Sequence, residues 1–340
     1  MQAKIKPGYD NQRRLLRDIV PLDTPFTLFI APSQVCNFKC SYCLHALSNS
    51  EKKAKGFSLS KMKFSVFKKI VYQSKKFPRK FKRVLLTGLG EPMANPRIAD
   101  MVKLISENDI SEKIEIFTNG YYLNEKISSE LIKSGLTKLR LSIQGINDEQ
   151  YKLNTGVKID FLSLVEKISN FFIQSRGKCE VYIKVIEEEL RDKTDHDRFY
   201  DIFGSICDEI FIENLTQAQP MLGNYNNKIS NDKTFYGELS AKRNVCPFIF
   251  YSLQIDINGN CFPCPPLSLP LEFSLGNIND EDITLIWNGT NHKNLMLSHL
   301  MENREKPDIC KFCTNYLCFT PKEDNLDEID NNLIKKIEGL

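Results

Sequence analysis

The sequence lacks the features that mark secreted, membrane-spanning or repetitive proteins. Residues 1–20 carry charges throughout and contain no apolar core, so they do not form a secretory signal, and no later apolar run approaches the length of a membrane span. Basic residues (46) and acidic residues (43) nearly balance, and the net charge of +3 gives no general argument for nucleic acid or a membrane as a partner. We find no internal repeat. The sequence therefore predicts a globular, cytoplasmic protein.

Histidine is also scarce, whereas cysteine is abundant. The four histidines show no spacing typical of metal ligands, and we assign no role to His45, His196, His292 or His299. In a reducing compartment the 11 cysteines are expected to be metal ligands or reactive thiols rather than disulfides. Cys179 and Cys207 stand alone and are expected to be buried structural thiols. The other nine form two groups: Cys36, Cys40 and Cys43, and then Cys246, Cys261, Cys264, Cys310, Cys313 and Cys318.

Between the two cysteine groups, short β-branched runs alternate with amphipathic helical stretches. Apolar residues in 58–76 recur with a period of about 3.6, which is typical of a helix. Alternating strands and helices predict right-handed βαβ units and a parallel sheet. Six such units favour an α/β fold with a partial (β/α)6 TIM-like barrel rather than a closed eightfold barrel. The predicted strands are residues 26–33, 82–88, 113–120, 138–145, 180–187 and 209–215.

The unusual short motifs of the chain follow these strands. CNFKCSYC (36–43) comes after the first strand, and GLGEP (88–92) comes after the second. TNG (118–120) ends the third strand, and SIQG (142–145) ends the fourth. In parallel α/β folds the chemistry lies beyond the carboxyl ends of the strands. The sequence therefore predicts one convergent site at the top of the barrel.

The first cysteine group has three thiols rather than four. Three thiolates from one loop can hold three irons of a cubane iron-sulfur cluster and leave the fourth iron open to a substrate or cofactor, whereas a closed structural site needs four ligands. The alternative is a zinc site completed by His45 or a distant residue. The pattern C-x3-C-x2-C, with Tyr42 before its last cysteine, resembles the signature of radical S-adenosylmethionine (SAM) enzymes.

The resemblance continues in GLGEP, which matches the Gly-Glu-Pro motif that receives the methionyl ammonium in that family. It implies that Gly88, Gly90, Glu91 and Pro92 bind SAM together with Tyr42. Glycine lets the backbone approach a ligand closely, and Glu91 supplies a negative charge for a cation.

Other polar residues are carried over by the same resemblance. Ser142 and Gln144 are expected near the ribose and carboxylate of SAM, and Lys184 near that carboxylate. Lys184 is alternatively an outward-facing strand residue, and Asn119 alternatively only shapes a turn. The resemblance implies that an electron from the cluster splits SAM into methionine and a 5′-deoxyadenosyl radical, which abstracts hydrogen from an inert carbon.

The second cysteine group resembles the SPASM/twitch extension, which carries auxiliary iron-sulfur clusters in one branch of the radical SAM family. The seven-cysteine pattern for two clusters is not met, since six cysteines are present and none follows Cys318. The resemblance therefore implies one auxiliary 4Fe-4S cluster, held by Cys246, Cys261, Cys310 and Cys313. Cys264 and Cys318 remain as alternative ligands, and Cys264 is alternatively a catalytic hydrogen-atom donor. A zinc ribbon built from the two C-x2-C pairs is the structural alternative.

These motifs divide the chain into three predicted regions. The radical SAM barrel is expected over 22–220, the small cysteine-rich SPASM/twitch domain over 242–320 and a helical tail over 321–340. The small domain is expected to be held by metal rather than by a large core, with a hairpin turn at Asn258-Gly259. The basic run 75–83 precedes the second strand, so it is expected at the amino-terminal face as a solvated helix end rather than a nucleic-acid patch.

We therefore expect a radical SAM oxidoreductase or epimerase that acts on a small polar substrate, with a sugar or sugar derivative as the first choice. The alternatives are a maturase that modifies a peptide or protein, and a noncatalytic zinc or iron-sulfur module that binds RNA or a partner. The expected cofactors are SAM, its 4Fe-4S cluster and one auxiliary 4Fe-4S cluster. The expected partners are a carbohydrate-like small molecule and an electron donor such as flavodoxin or ferredoxin, without a membrane or nucleic acid.

Overall fold

A computed structural model describes residues 3–9, 13–88, 90–216, 232–266, 269–302, 308–327 and 331–339. The described residues form one sheet of ten strands. The strands are β1 (Lys4–Ile5), β2 (Thr27–Ile30), β3 (Arg83–Leu86), β4 (Ile114–Thr118), β5 (Lys138–Ile143), β6 (Glu180–Ile186), β7 (Glu209–Glu213), β8 (Ser252–Ile255), β9 (Asn260–Phe262) and β10 (Gly276–Asn277). Their order across the sheet is β1-β7-β6-β5-β4-β3-β2-β8-β9-β10.

The six predicted strands are the strands β2 to β7. Each pairs in parallel with its neighbour along the chain, and β1 adds a short parallel strand beside β7. The predicted α/β fold with a parallel sheet is therefore confirmed. The predicted limits at residues 220 and 340, and Leu89 of GLGEP, lie outside the described residues, and the domain boundaries stay predictions.

Helices connect the parallel strands, and several begin at side chains that cap them. Asn124, Asp160 and Asp192 each accept a hydrogen bond from an amide of the first helical turn. The helices are α1 (Asn49–Ala54), α2 (Phe64–Ser74), α3 (Ile98–Glu107), α4 (Glu125–Lys133), α5 (Asp148–Thr155), α6 (Phe161–Ser175), α7 (Lys193–Phe203), α8 (Phe248–Tyr251), α9 (Ile283–Trp287), α10 (Thr290–Glu302), α11 (Asp308–Lys311) and α12 (Asn331–Glu338).

The helix predicted over 58–76 begins only at Phe64. Its first residues instead extend the sheet, because Ser33 and Lys61 form an antiparallel bridge and the Met62 amide donates to the Pro32 carbonyl over 2.9 Å. The apolar residues of this segment thus form a helix only from Phe64 onward, where the backbone no longer pairs with residues 32 and 33.

The two faces of the strands differ in chemistry. Outward-facing residues such as Leu28, Val84 and Leu141 are fully buried against the helices and form the main core. On β4 and β5 the inward-facing positions carry the Glu115 carboxylate and the Arg140 guanidinium, which form a buried ion pair. The interior of the barrel therefore combines a buried ion pair with apolar side chains such as Phe29 and Phe117, which line the same space.

The cysteine-rich region joins the same sheet. β8 pairs in parallel with β2, and a hairpin with Gly259 at φ +90° leads into the antiparallel strand β9, so the predicted turn is present. This region also has an apolar core of its own, which the expectation of a domain held by metal did not anticipate. It contains Leu16 and Val20 from the amino-terminal segment, Phe250 from α8 and Ile337 from α12.

Candidate active site

A cavity of about 1590 Å³ occupies the interior of the barrel. The β2 to β7 strands line it on one side, and residues of the amino-terminal segment and of the cysteine-rich region line the other. All predicted residues of the first site except Pro92 line it: Cys36, Cys40, Tyr42, Cys43, Gly88, Gly90, Glu91, Asn119, Ser142, Gln144 and Lys184. The convergence predicted from the strand ends is therefore present as one continuous space. Pro92 is buried, outside the lining of that cavity.

The CNFKCSYC loop is anchored by its aromatic residue. Phe38 is 1% exposed and packs edge-on against Tyr121 and Tyr151, with ring centroids 5.8 and 6.0 Å away. The Phe38 amide donates a hydrogen bond to the sulfur of Cys36 over 3.4 Å. Burial of one apolar ring thus holds the loop while its cysteines face the cavity.

The three thiols of this loop share one environment. Burial raises the pKa of Cys36 to about 12, and the neighbouring charges of Glu91 and Cys43 act in the same direction. Burial also raises the pKa of Cys40, where Cys43 and Cys36 are the next causes. Thiols that are close enough to oppose each other's ionisation fit a cationic group that binds all three as thiolates, as a 4Fe-4S cluster does.

The glycines of GLGEP lie where backbones come into contact. A Cβ on Gly90 would stand 2.6 Å from the carbonyl oxygens of both Ser33 and Val35, and Gly88 has φ +151° with Ala31 beside it. A larger residue at either position would push the motif away from the loop that carries the cysteines. These glycines therefore bring the second motif against the first.

Glu91 is held by three hydrogen bonds. Its Oε1 atom accepts from the Met93 amide over 3.0 Å and from the Thr118 hydroxyl over 2.6 Å, and its Oε2 atom accepts from the Asn119 amide over 2.8 Å. Burial raises the pKa of Glu91, and these hydrogen bonds oppose that rise. The carboxylate therefore joins the ends of β3 and β4 as well as facing the cavity.

We expect Glu91→Gln to lower the free energy of unfolding by about 1 to 3 kcal/mol, because the amide replaces one acceptor oxygen with a donor and leaves a buried partner unpaired. SAM binding should weaken as well. Denaturant unfolding under anaerobic conditions measures the first effect. The control is Glu112→Gln, whose half-exposed carboxylate pairs with Lys82 at the surface. Equal stability of the Glu91→Gln variant and the parent protein would contradict a structural role for the carboxylate.

Polar contacts link the other predicted residues across the top of the barrel. The Tyr42 hydroxyl donates to Oε1 of Gln144 over 2.7 Å, which ties the cysteine loop to the end of β5. The Asn119 side-chain amide donates to Oδ1 of Asn37 over 2.9 Å and ties the same loop to β4. Asn119 therefore does more than shape a turn.

Lys184 faces inward, so the alternative of an outward-facing strand residue is wrong. It lies beside Ser142 in the register of β5 and β6, and its ammonium pairs with the Glu213 carboxylate. The Tyr182 hydroxyl donates to the other oxygen of Glu213 over 3.0 Å. Glu213 was not predicted as a site residue. The signal in the sequence was a charged residue on the inward-facing side of a largely apolar strand.

The second cysteine group comes together differently from the expectation. The buried Cys264 thiol has the thiols of Cys246, Cys313 and Cys310 as neighbours, and after burial these are the causes that raise its pKa. Near this group the His299 side chain, which is fully buried, accepts a hydrogen bond from the Cys246 amide over 3.3 Å. The structure thus groups Cys264 with three of the four predicted ligands.

Cys261 lies elsewhere. It is fully buried in the main core, pairs with Ile255 and Gly276 in the sheet, and has Asp256 and Glu281 rather than cysteines as its charged neighbours. The structure thus gives cysteine neighbours to Cys264 rather than to Cys261, and Cys264 is not in the lining of the cavity. The physical reason is that Cys261 is in β9 and faces the main core, whereas Cys264 follows the strand and faces the second core.

Cys318 is a separate case. It is 2% exposed, with the Thr216 hydroxyl and the Cys313 thiol among its neighbours. Within the described residues, no group of three or more His, Cys, Asp or Glu side chains can hold a single metal ion. Each thiol of a four-iron cluster binds a different iron, so cluster ligands stand farther apart than ligands of one ion, and this finding concerns single-ion sites only.

The basic run predicted as a solvated surface makes local ion pairs, but its residues Arg79, Lys80, Lys82 and Arg83 also line the cavity. Lys76 pairs with Asp282, Lys80 with Asp109, and Lys82 with Glu112. In the part of the chain that the structure describes, no helix has the length and apolar character that a membrane crossing requires.

The sequence matches two family models. Residues 30–175 match the model of the radical SAM superfamily, and residues 246–314 match SPASM, an iron-sulfur cluster-binding domain. The chain thus carries a radical SAM domain followed by a SPASM domain. The first implies SAM and a 4Fe-4S cluster, and the second implies auxiliary cluster chemistry.

Individual relatives differ in what they do. A GTP 3′,8-cyclase of Crocosphaera subtropica is 28% identical over 123 residues, which are 36% of this chain and 35% of that protein. The chain thus spans about a third of the length of this curated relative. BtrN in complex with AdoMet and 2-DOIA gives a TM-score of 0.56 at 18% identity over 88% of this chain and 97% of BtrN. Streptococcus suis SuiB bound to the precursor peptide SuiA gives 0.59 at 17% identity over 92% and 77%. These structures share the fold.

Proposed function

We propose that this radical SAM enzyme oxidises a small polar substrate, with a sugar or sugar derivative as first choice, inside the barrel cavity. The observation that carries the proposal is the hydrogen-bonded carboxylate of Glu213, which lines the cavity together with the residues of the SAM motifs. When bound, SAM and the clusters supply a 5′-deoxyadenosyl radical and a one-electron acceptor.

The size of the cavity supports a small substrate. Ligand pockets commonly measure about 300 to 1,000 Å³. The 1590 Å³ of this cavity exceeds that range, so it has room for SAM and a second small molecule. Its largely apolar walls also carry charged and hydrogen-bonding groups that can orient a polar substrate, as the ion pair of Lys184 and Glu213 illustrates.

Glu213 has the chemistry of a proton acceptor. Oxidation of an alcohol removes a hydrogen from carbon and a proton from oxygen, and the second step needs a base within hydrogen-bond reach. Tyr182 and Lys184 hold the two oxygens of the Glu213 carboxylate in a fixed orientation. We assign to the Glu213 carboxylate the role of accepting the proton of the substrate hydroxyl.

The cysteines that line the cavity favour oxidation of the substrate over epimerisation. A radical epimerase needs a hydrogen-atom donor on the opposite face of the substrate. Among the described residues, the cysteines that line the cavity are those of the first group, Cys36, Cys40 and Cys43. Cys264 is outside that lining, so we withdraw the role of hydrogen donor from it.

For the auxiliary 4Fe-4S cluster we propose the ligands Cys246, Cys264, Cys310 and Cys313. The mutual proximity of their thiols supports this set. The neighbouring residues Pro265 and Asn315 line the cavity, so the cluster would stand close behind its wall.

Formation of 5′-deoxyadenosine tests the proposed class of reaction. The protein is reconstituted with iron and sulfide without oxygen, reduced with dithionite and incubated with SAM and a panel of sugars, nucleotides and peptides. We expect 5′-deoxyadenosine only with reductant, and faster formation with a small polar substrate. Stimulation by peptides alone would contradict the proposal, and so would a complete failure to cleave SAM.

Glu213→Gln should separate hydrogen abstraction from oxidation. With a substrate found in that panel, we expect 5′-deoxyadenosine still to form, because the cysteine loop and Glu91 are unchanged. The affinity for SAM is measured beside it, since Lys184 loses its ion-pair partner in this variant. Product formed per 5′-deoxyadenosine should fall by about 100-fold, the usual scale for loss of a general base. The control is Glu209→Gln, at the other end of the same strand, where the carboxylate pairs with Lys138. Equal losses in both variants would argue against the role of Glu213.

A further inference from the structure

The lining of the barrel cavity carries an excess of positive charge. Nine Lys or Arg side chains line it against five Asp or Glu side chains, although the whole chain is nearly balanced at 46 and 43. A cleft with charges of one sign and low-dielectric walls concentrates molecules of the opposite sign. The cavity therefore favours an anion beyond SAM itself, whose sulfonium group is cationic.

Several of the interior cations are already neutralised by the protein. Arg140 is paired with the buried Glu115, and Lys184 with Glu213. Arg13 is paired with Asp324 and lies over the ring of Phe319. These three cations form part of the cavity wall, and neighbouring carboxylates of the protein compensate their charges.

Arg83 differs from them. It shares the inward face of β3 with Leu85, and both line the cavity, whereas the alternate residues Val84 and Leu86 are fully buried on the opposite face. Within the described residues, the Arg83 guanidinium has no ion-pair or hydrogen-bond partner. The nearby Glu115 carboxylate, which is 1% exposed, is already occupied by Arg140.

A tyrosine stands beside this guanidinium. Burial and the Glu213 carboxylate raise the pKa of Tyr236, whereas the nearby charges of Arg140 and Arg83 act against that rise. Tyr236 also lines the cavity and packs against Tyr9 and Phe319 with ring centroids 4.9 and 6.0 Å away. Aromatic packing therefore fixes a phenol close to the unpaired cation.

We propose that Arg83, with Tyr236 beside it, forms a subsite for a phosphoryl group of the substrate. This inference rests on the proposed function and adds the substrate class to it. The planar guanidinium of an arginine offers two parallel N–H donors to phosphate oxygens. Arg83 is half-buried and unpaired among the described residues, so its guanidinium can provide them. A phosphoryl group brings more negative charge than a carboxylate and so fits the excess of cations better.

The length of β3 limits the shape of that substrate. Extended chain rises about 3.3 Å per residue, so Arg83 and the SAM motif at Gly88 are on the order of 15 Å apart along the strand. The arginine side chain covers part of this distance. A substrate that reaches both ends is elongated, as a nucleotide or a nucleotide-linked sugar is, rather than a free monosaccharide.

Titration with inorganic pyrophosphate tests the subsite. The anaerobically reconstituted protein is titrated calorimetrically at low ionic strength, beside Arg83→Gln, Arg83→Lys and Lys82→Gln. We expect one saturable site, a loss of affinity of about tenfold or more in Arg83→Gln, and partial recovery in Arg83→Lys. Lys82→Gln removes the same charge one residue away, from another residue of the cavity lining. It should change the affinity less than about twofold, since the Lys82 side chain is largely exposed and paired with Glu112.

Three outcomes would overturn the subsite: no binding to the parent protein, equal losses in Arg83→Gln and Lys82→Gln, or equally tight binding of succinate, which would indicate a carboxylate site. Iron content and thermal unfolding are measured on each variant to establish that it folds. Should Arg83→Gln fail to fold, Arg83→Lys carries the test, and an affinity equal to that of the parent protein would count against bidentate binding.

Formation of 5′-deoxyadenosine without substrate should be the same in Arg83→Gln as in the parent protein. Failure of the proposed function would appear in that reaction, and failure of the subsite in the titration.

Discussion

Replacement of Cys36, Cys40 and Cys43 together with alanine is expected to remove one four-iron cluster and to abolish reductive cleavage of SAM. The three thiols lie in one loop, line the cavity and influence each other's ionisation, so they act as one ligand set. Iron should fall from about eight to about four atoms per chain, because the auxiliary cluster has its own ligands. Iron and sulfide analysis with electron paramagnetic resonance of the reduced protein measures this loss.

Cys179→Ala is the matched control for the triple variant. Cys179 is a buried thiol of the main core and is 5% exposed, away from both cysteine groups. It should keep all its iron and cleave SAM, with at most a modest loss of stability from the small cavity it leaves. A triple variant that retained its full iron and sulfide would show that the first group does not hold a cluster.

Cys264→Ala is expected to lose the auxiliary cluster, whereas Cys261→Ala should keep it. The Cys264 thiol has Cys246, Cys310 and Cys313 as neighbours, and Cys261 has no cysteine among its charged neighbours. The two substitutions remove the same atoms from two buried sites three residues apart. The comparison therefore isolates the effect of ligation from that of burial.

The two variants are compared by their iron content and by the spectrum of the remaining cluster. Cys264→Ala should hold about four irons and still form 5′-deoxyadenosine, because the first cluster is intact. It should also lose turnover of substrate, since the electron acceptor is gone. A full iron content in Cys264→Ala together with a loss in Cys261→Ala would restore the assignment made from sequence spacing.

The same pair shows why spacing alone does not tell which of these two thiols has other cysteines as neighbours. C-x2-C is typical of two thiols that bind one metal, and the motif CFPC invites that interpretation. In the structure Cys261 is still within β9, where the period of two turns it to the main core, and Cys264 lies beyond the strand end. The end of β9 at Phe262 therefore separates the two thiols into different cores.

The sheet pairing of the cysteine-rich region and the interior ion pairs depend on which strands become neighbours in space. β8 was assigned to a separate small domain, yet it pairs in parallel with β2 and continues the barrel sheet. Glu213 and Lys184 are on different strands, and their ion pair exists because β6 and β7 lie side by side with their inward faces aligned. Strand order and register are set by packing over the whole chain, so local patterns do not reveal them.

The sequence by itself determined the class of this protein and the location of its first site. Six alternating strands, and motifs at four strand ends, require the cysteine loop and GLGEP to meet, because parallel strands bring their carboxyl ends to one edge. Only the tertiary structure decided which thiols of the second cysteine group are neighbours of Cys264 and which interior charges are paired. Thiols and ions interact over a few ångströms between elements far apart in the chain, as the pairing of Arg140 with Glu115 and the unpaired state of Arg83 in the described residues illustrate.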